Sequence, residues 1–441
     1  MNRQTFTWDR SGNKIRQTER WLEGLWILSL LLAALLLWLI NLDNLSLQDG
    51  GEKLAAQIAR EISQTPTESW HWLYPSINVN GKPDLVQPPL LHWLIAAIYQ
   101  IGGSNPWTSR LPGAVLSAFS VPLLYGIGRE IFPSRQTAIF SSLIYLTLLP
   151  VIHHGRLALV DGTALCFTVL MMWCVLRSRR DLRWSFVVGI GLGLICLTKG
   201  LLLGLLLGTI ALLFLVWDTP RLITSAYWWS GLLLGISPTT AWYAFGLLQP
   251  GLLPQDIFNQ SPGLLWASFN TNNTKFSGYY LMEIFAVPWI LFWPYGLRLA
   301  WNNRNWGWAK LVLVWAGFYL GAIGIMFTKL PGDFLPIYPA LALAGGALLT
   351  EVWNWPSHKT FPRFWSIGLT LMAIGASLLS VYFSRLADAN WSLALICASV
   401  ALTMTIASVL VARRDLQFIV ILFWGTYISL LLFVTSPYWI W

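Results

Sequence analysis

Asp49-Gly-Gly-Glu52 sets two carboxylates just after a first apolar run, where a chain leaving a membrane would re-enter water. An amphipathic stretch, Lys53 to Ile62, follows them. Asp161 comes shortly after Arg156 at the start of a later apolar run, and Lys199 interrupts another. A carboxylate can take a proton from an attacking group within hydrogen-bond reach. Cations beside it can offset charge that builds on a leaving phosphate. Gathered on one face of a membrane protein, such groups suggest chemistry on an anionic, lipid-borne substrate. Each also has a structural reading. Asp49 and Glu52 have the spacing of a helix capping box, Asp161 could cap a helix, and Lys199 could be an interfacial lysine. Arg110 and Arg156 could anchor loops to headgroups. His153-His154 has no carboxylate at helical spacing, so no metal site is expected there. No cofactor is implied, with a divalent ion left open, and no phosphate-binding glycine loop is present.

The elements that position these residues follow from composition. Of 441 residues, 56% are hydrophobic and 11% charged, against about 25% charged in soluble proteins. Apolar runs of about 20 residues, the length that spans a bilayer core, recur throughout, so the chain reads as an all-α polytopic membrane protein. Many of the 28 tryptophans lie near run ends, where their rings anchor at headgroups. The four cysteines fall inside apolar runs and read as small core residues. The first run lacks a small-residue cleavage site and reads as a retained anchor.

Thirteen spans are expected: Gly24–Ile40, Trp107–Gly128, Gln136–Ile152, Gly162–Leu176, Trp184–Thr198, Gly200–Trp217, Ala226–Leu248, Leu281–Leu297, Leu311–Phe327, Phe334–Leu349, Phe364–Phe383, Trp391–Val411 and Leu416–Val434. The apolar stretch from Trp184 to Trp217 would measure about 51 Å as one helix, too long for a core about 30 Å thick. Two spans joined at Lys199-Gly200 fit. With the N-terminus inside, 19 of the 28 basic residues then fall on the cytoplasmic side, as the positive-inside bias requires. The net charge of +9 is therefore a mark of topology and does not point to nucleic acid. Asp49, Asp161, Lys199 and Lys329 share the opposite, outer face with the C-terminus. Two outer loops result, 41–106 with interfacial helices (one of them Pro89–Ile101) and 249–280, within a single domain covering 1–441.

Five short motifs in order resemble a known family. They are Ala56-Gln-Ile-Ala-Arg-Glu61; Pro88-Pro89-Leu90 with Trp93-Leu94, then Arg110-Leu-Pro112; Arg156-Leu-Ala-Leu-Val-Asp161; Leu197-Thr-Lys-Gly200; and Lys329-Leu-Pro331 followed by Pro336 and Pro339-Ala-Leu341. The pattern is similar to the GT-C superfamily of lipid-linked-sugar glycosyltransferases, in the branch of bacterial aminoarabinose transferases and protein O-mannosyltransferases. It covers roughly Leu47 to Ala342.

The resemblance implies a GT-C fold and a polyprenyl-phosphate sugar bound among membrane lipids under the outer loops. A carboxylate base (among Asp49, Glu52 and Asp161) would activate an acceptor of unassigned identity, and the sugar would transfer with inversion. Lys199, Lys329, Arg110, Arg156 and Gln87 are the candidate phosphate contacts. Three positions depart from the pattern. Gly51 stands where the family has Asp, Gln87 replaces a cation, and Gly332-Asp333 replaces an aromatic. The departures leave a second function open, a relative that binds or moves a lipid-linked sugar without transfer. An ordinary secondary transporter is a third, disfavoured because most charges sit at span ends rather than at the midplane.

Overall fold

The computed structural model describes residues 9–48, 51–64, 73, 78–79, 82–83, 88–248, 286–325, 331–356, 359–385 and 390–439. Within them the chain is helical apart from a two-residue antiparallel pair, β1 (Asn78–Val79) with β2 (Lys82–Pro83). The first helices are α1 (Asp9–Leu39), α2 (Gly51–Gln64), α3 (Leu90–Gly102), α4 (Pro106–Ile131), α5 (Arg135–Leu146) and α6 (Leu149–Arg156). Next come α7 (Val160–Ser178), α8 (Trp184–Lys199), α9 (Leu201–Asp218) and α10 (Ala226–Leu248). The last are α11 (Trp293–Asn302), α12 (Gly307–Ile325), α13 (Tyr338–Trp353), α14 (Arg363–Arg385), α15 (Trp391–Ala412) and α16 (Gln417–Thr435).

Ten of the described helices are long and apolar enough to cross a membrane, and eleven if α5 and α6 form one bent span. The protein is therefore an integral, multi-pass membrane protein. Length and composition do not carry the count to thirteen. Of the other two expected spans, α8 has only 16 residues. In the second, Leu281–Leu297, the described part begins at residue 286, and α11 starts only at Trp293. The second outer loop, 249–280, lies outside the described residues.

Two breaks have local causes. α8 and α9 part at Lys199-Gly200, where Gly200 has φ +100°, a conformation that costs glycine nothing and other residues a steric clash. Its N–H donates to the Cys196 carbonyl, closing α8. The expected continuous span Gln136–Ile152 is instead bent by 58° between α5 and α6. Pro150 lacks an N–H, and its ring would strike the carbonyl four residues back, at Leu146, where α5 stops.

One apolar core runs from Leu30 to Trp439. Its centre is the stretch Gly332–Trp353, which ends in α13 and has 94% of its apolar window buried, whereas α14 at the periphery has 17%. The Ala- and Gly-rich sequence of α13 permits this, because helices in lipid associate through close packing of small residues. A Cβ at Gly296 of α11, for example, would lie 2.6 Å from the Ala344 carbonyl oxygen. The amphipathic α2 buries Glu52, Ala55, Ala56, Ile58 and Ala59 on one face and packs on α3. The 13-residue α3 falls where an interfacial helix was expected and leans on α4 and α8.

Candidate functional site

One end of the bundle collects the C-terminal ends of α1, α8 and α16, the N-terminal ends of α4 and α7, and the 3₁₀ segment Pro331–Ile337 before α13. Asp161 sits in the first turn of α7, where the helix dipole favours a carboxylate. Lys199 is the last residue of α8, where the same effect favours a cation. Their side chains meet, with Lys199 Nζ 2.6 Å from Asp161 Oδ1. The 3₁₀ segment brings a third charge, Asp333, whose Oδ1 is 3.3 Å from the same Nζ, and Lys199 also donates to the Gly332 carbonyl at 3.3 Å. All three charged side chains are only partly covered, 22% exposed for Lys199, 15% for Asp161 and 27% for Asp333. His154 Nδ1 lies 3.8 Å from Asp161 Oδ2.

The 3₁₀ segment is held from α12. Tyr319 Oη donates to the Asp333 carbonyl at 2.8 Å, and Trp315 Nε1 donates to that of Pro336 at 2.8 Å. A Cβ at Gly332 would sit 2.6 Å from Asp161 Oδ2, so a larger residue there would have to displace the Asp161 carboxylate. On the other flank Trp93 packs in a cluster with Cys196, Leu197, Trp242 and Tyr243, and Tyr243 Oη donates to the Cys196 carbonyl at 3.0 Å. The Pro88-to-Leu94 motif thereby abuts the Lys199 turn.

The remaining candidates occupy different surroundings. Glu52, 1% exposed, accepts from Arg110 Nε at 2.9 Å and Nη2 at 2.8 Å, from Ala158 N at 2.8 Å and from Gln48 N at 2.9 Å. The Gln48 bond ties Glu52, the second residue of α2, back to the segment that leads into the helix. Arg110 spends its other donors on the carbonyls of Leu42, Leu45 and Ser46. Arg156 donates to the carbonyls of Leu37, Trp38, Ile40 and Asn41, closing the C-terminal end of α1. Both guanidinium groups lie over the buried Trp439 ring, at 5.2 Å and 4.2 Å. The two arginines and Glu52 thus organise the turn from α1 to α2 and tie it to residues 156–158, just ahead of Asp161. Gly51 is filled from outside, since a Cβ there would lie 2.7 Å from Leu159 Cδ2. Asp49, Gln87 and Lys329 lie outside the described residues. The buried His92 on α3 is pushed down to about 4 by burial, so it is neutral at pH 7 and adds no cation. Among the described residues no group of three or more His, Cys, Asp or Glu could hold a metal ion.

Asp333 was absent from the candidates read from sequence. The signal was present, because Gly332-Asp333 breaks the family pattern with a small residue and a charge together.

The bundle and the charged cluster at one end of it define a multi-pass helical membrane protein whose candidate site is built from helix ends. Residues 86–244 match the family model described as dolichyl-phosphate-mannose-protein mannosyltransferase. The chain is 26% identical over 348 residues to an undecaprenyl phosphate-alpha-4-amino-4-deoxy-L-arabinose arabinosyl transferase of Pseudomonas fluorescens, covering 74% of this chain and 60% of that protein. It is also 26% identical over 419 residues to the transferase of the same description from Pseudomonas savastanoi pv. phaseolicola, covering 88% and 74%. In fold it is similar to the crystal structure of ArnT from Cupriavidus metallidurans bound to undecaprenyl phosphate, with TM-score 0.71, 22% identity, and 93% and 76% coverage. The likeness read from the motifs is thus met twice, by the aminoarabinose transferases over most of the chain and by the mannosyltransferase family model over residues 86–244. The chain spans three fifths of the length of the first of these relatives.

Proposed function

We propose that this protein is a membrane glycosyltransferase that moves a sugar from a polyprenyl phosphate to an acceptor at the outer face, with inversion at the anomeric carbon. The observation that supports it most is the Asp161–Lys199 pair at 2.6 Å, partly open, at the ends of two adjacent helices. The relatives are named for undecaprenyl phosphate carriers, and the outer-face assignment rests on the charge asymmetry of the sequence.

In the reaction, the acceptor atom bonds to the anomeric carbon as the bond from that carbon to the phosphate oxygen breaks. The electron pair stays on the phosphate, and the acceptor's proton passes to a carboxylate. We assign that carboxylate to Asp161, with Asp49 as the second candidate. Glu52 holds the segment before Asp161 through the Ala158 N–H. Lys199 and Lys329 hold the phosphate and offset its growing charge. Arg110 and Arg156 support the site by fixing its backbone. Gln87 offers a neutral hydrogen bond where the family has a cation.

The test uses full-length protein in nanodiscs, given undecaprenyl-phosphate monosaccharides and membrane extract as a source of acceptors, with release of undecaprenyl phosphate measured. Asp161→Asn is expected to lose about 10²-fold or more in rate, the lower range for removing a general base. Wild-type rates in Asp161→Asn would sink the assignment. The Lys199→Ala, Lys329→Ala double variant is expected to weaken binding of undecaprenyl phosphate by at least ~1.5–3 kcal/mol, the range for one hydrogen bond to a charged group. A second reading, binding or moving a lipid-linked sugar without transfer, is favoured by Gly51, where Leu159 fills the space the family gives to an acid. Tight binding without release from any donor would select it.

A further inference from the structure

Asp333 places a second carboxylate on the ammonium that pairs with Asp161. The arrangement is built and not incidental. Tyr319 and Trp315 pin the backbone of the 3₁₀ segment, Lys199 grips the Gly332 carbonyl, and a side chain at 332 would press on the Asp161 carboxylate, 2.6 Å from where its Cβ would lie. The groups around Asp333 include Lys199 from α8, Asp161 from α7 with His154 of α6 behind it, and Tyr319 from α12. Two fixed negative charges therefore flank the lysine assigned to the lipid phosphate.

The ligand's own charge changes during the proposed reaction. A sugar–phosphate–lipid donor is a phosphodiester with one negative charge. Once the bond to the anomeric carbon breaks and the electron pair stays on oxygen, the lipid leaves as a phosphate monoester, which carries about −1.5 to −2 at pH 7. A carboxylate near the phosphate repels the monoester about twice as strongly as the diester. An aromatic side chain at that place would not discriminate by charge.

We propose that Asp333 is a specificity-determining residue that favours the diester donor over the monoester product, and so speeds release of the spent lipid. The inference rests on the lipid-phosphate site described above, at Lys199. It assigns Asp333 no part in bond breaking.

The experiment measures binding of two probes to the full-length protein in nanodiscs: undecaprenyl phosphate and its methyl diester. At pH 8, Asp333→Asn is expected to tighten undecaprenyl phosphate by about fivefold relative to the diester, the size of one extra charge interacting across several ångströms in a partly hydrated site. Asp333→Glu is expected to keep the wild-type preference. At pH 5, where the monoester also carries one charge, wild type and Asp333→Asn should show the same ratio. A merely structural role predicts that both probes weaken together, which would overturn the proposal, as would an unchanged ratio at pH 8. Lys199→Ala separates the two layers of the argument. If it weakens both probes while Asp333→Asn leaves the ratio unchanged, only this inference fails. If it leaves both unchanged, the phosphate lies elsewhere and both readings fall.

Discussion

The two ends of the helix bundle treat charge in opposite ways. At the end away from the candidate site, each of three carboxylates meets two cations. Glu23 pairs with Arg129 and Arg135, Glu130 with Arg177 and Arg180, and Asp218 with Arg179 and Lys310. At the site end, two carboxylates share Lys199. The basic end is redundant, and two of its cations are well exposed, Arg177 at 41% and Arg180 at 70%. Removing Lys199 would take the shared ammonium from both Asp161 and Asp333, and removing Arg110 would take the cation from a buried Glu52. Redundant, solvated pairs suit a scaffold. A shared cation suits a place where a ligand's charge must be accepted and then let go.

Three substitutions would break or sharpen this contrast. Arg110→Ala should have the largest effect, because the Arg110–Glu52 pair is 0% and 1% exposed. Breaking a buried pair costs about 3–5 kcal/mol, and the variant also loses the carbonyl bonds that shape residues 42–46. Thermal unfolding in nanodiscs would measure it, and a loss under about 1 kcal/mol would mean that water reaches Glu52 freely.

A middle-sized effect is expected at His92, also at the site end. Its folded-state value of about 4 lies below the ordinary 6.5, so the unfolded chain binds the extra proton between those values. Stability should therefore be intact above about pH 6.5 and fall as pH drops toward 4, by roughly 2 kcal/mol at pH 5. His92→Phe should remove that part of the acid sensitivity. Equal acid sensitivity in the variant, read from melting temperatures at pH 7 and pH 5, would show that other groups govern it. The smallest effect is predicted at the opposite end. Arg180→Ala should change stability by less than about 0.5 kcal/mol, because Arg177 still holds Glu130 at 2.9 Å. A larger loss would erase the distinction between the two ends.

What short stretches of sequence determined by themselves was the membrane class, most of the helices, the short helix α3, and the break at Lys199-Gly200. Hydropathy, glycine and span length act over windows of about 20 residues, and no distant partner is needed to read them. The order of the motifs also pointed to one end of the bundle. The tertiary structure alone decided what each charge does there. Arg110 and Glu52 are 58 residues apart in the chain, Arg156 and the Leu37 carbonyl 119, and Lys199 and Asp333 134. Whether an arginine meets a carbonyl, a carboxylate or open water depends on which helix ends pack beside it. No local pattern encodes that neighbour. Arg110 and Arg156 look alike in sequence as outer-face cations, yet packing commits both to backbone carbonyls. Asp333 looked like a departure from a motif, and packing sets it on the lysine beside Asp161.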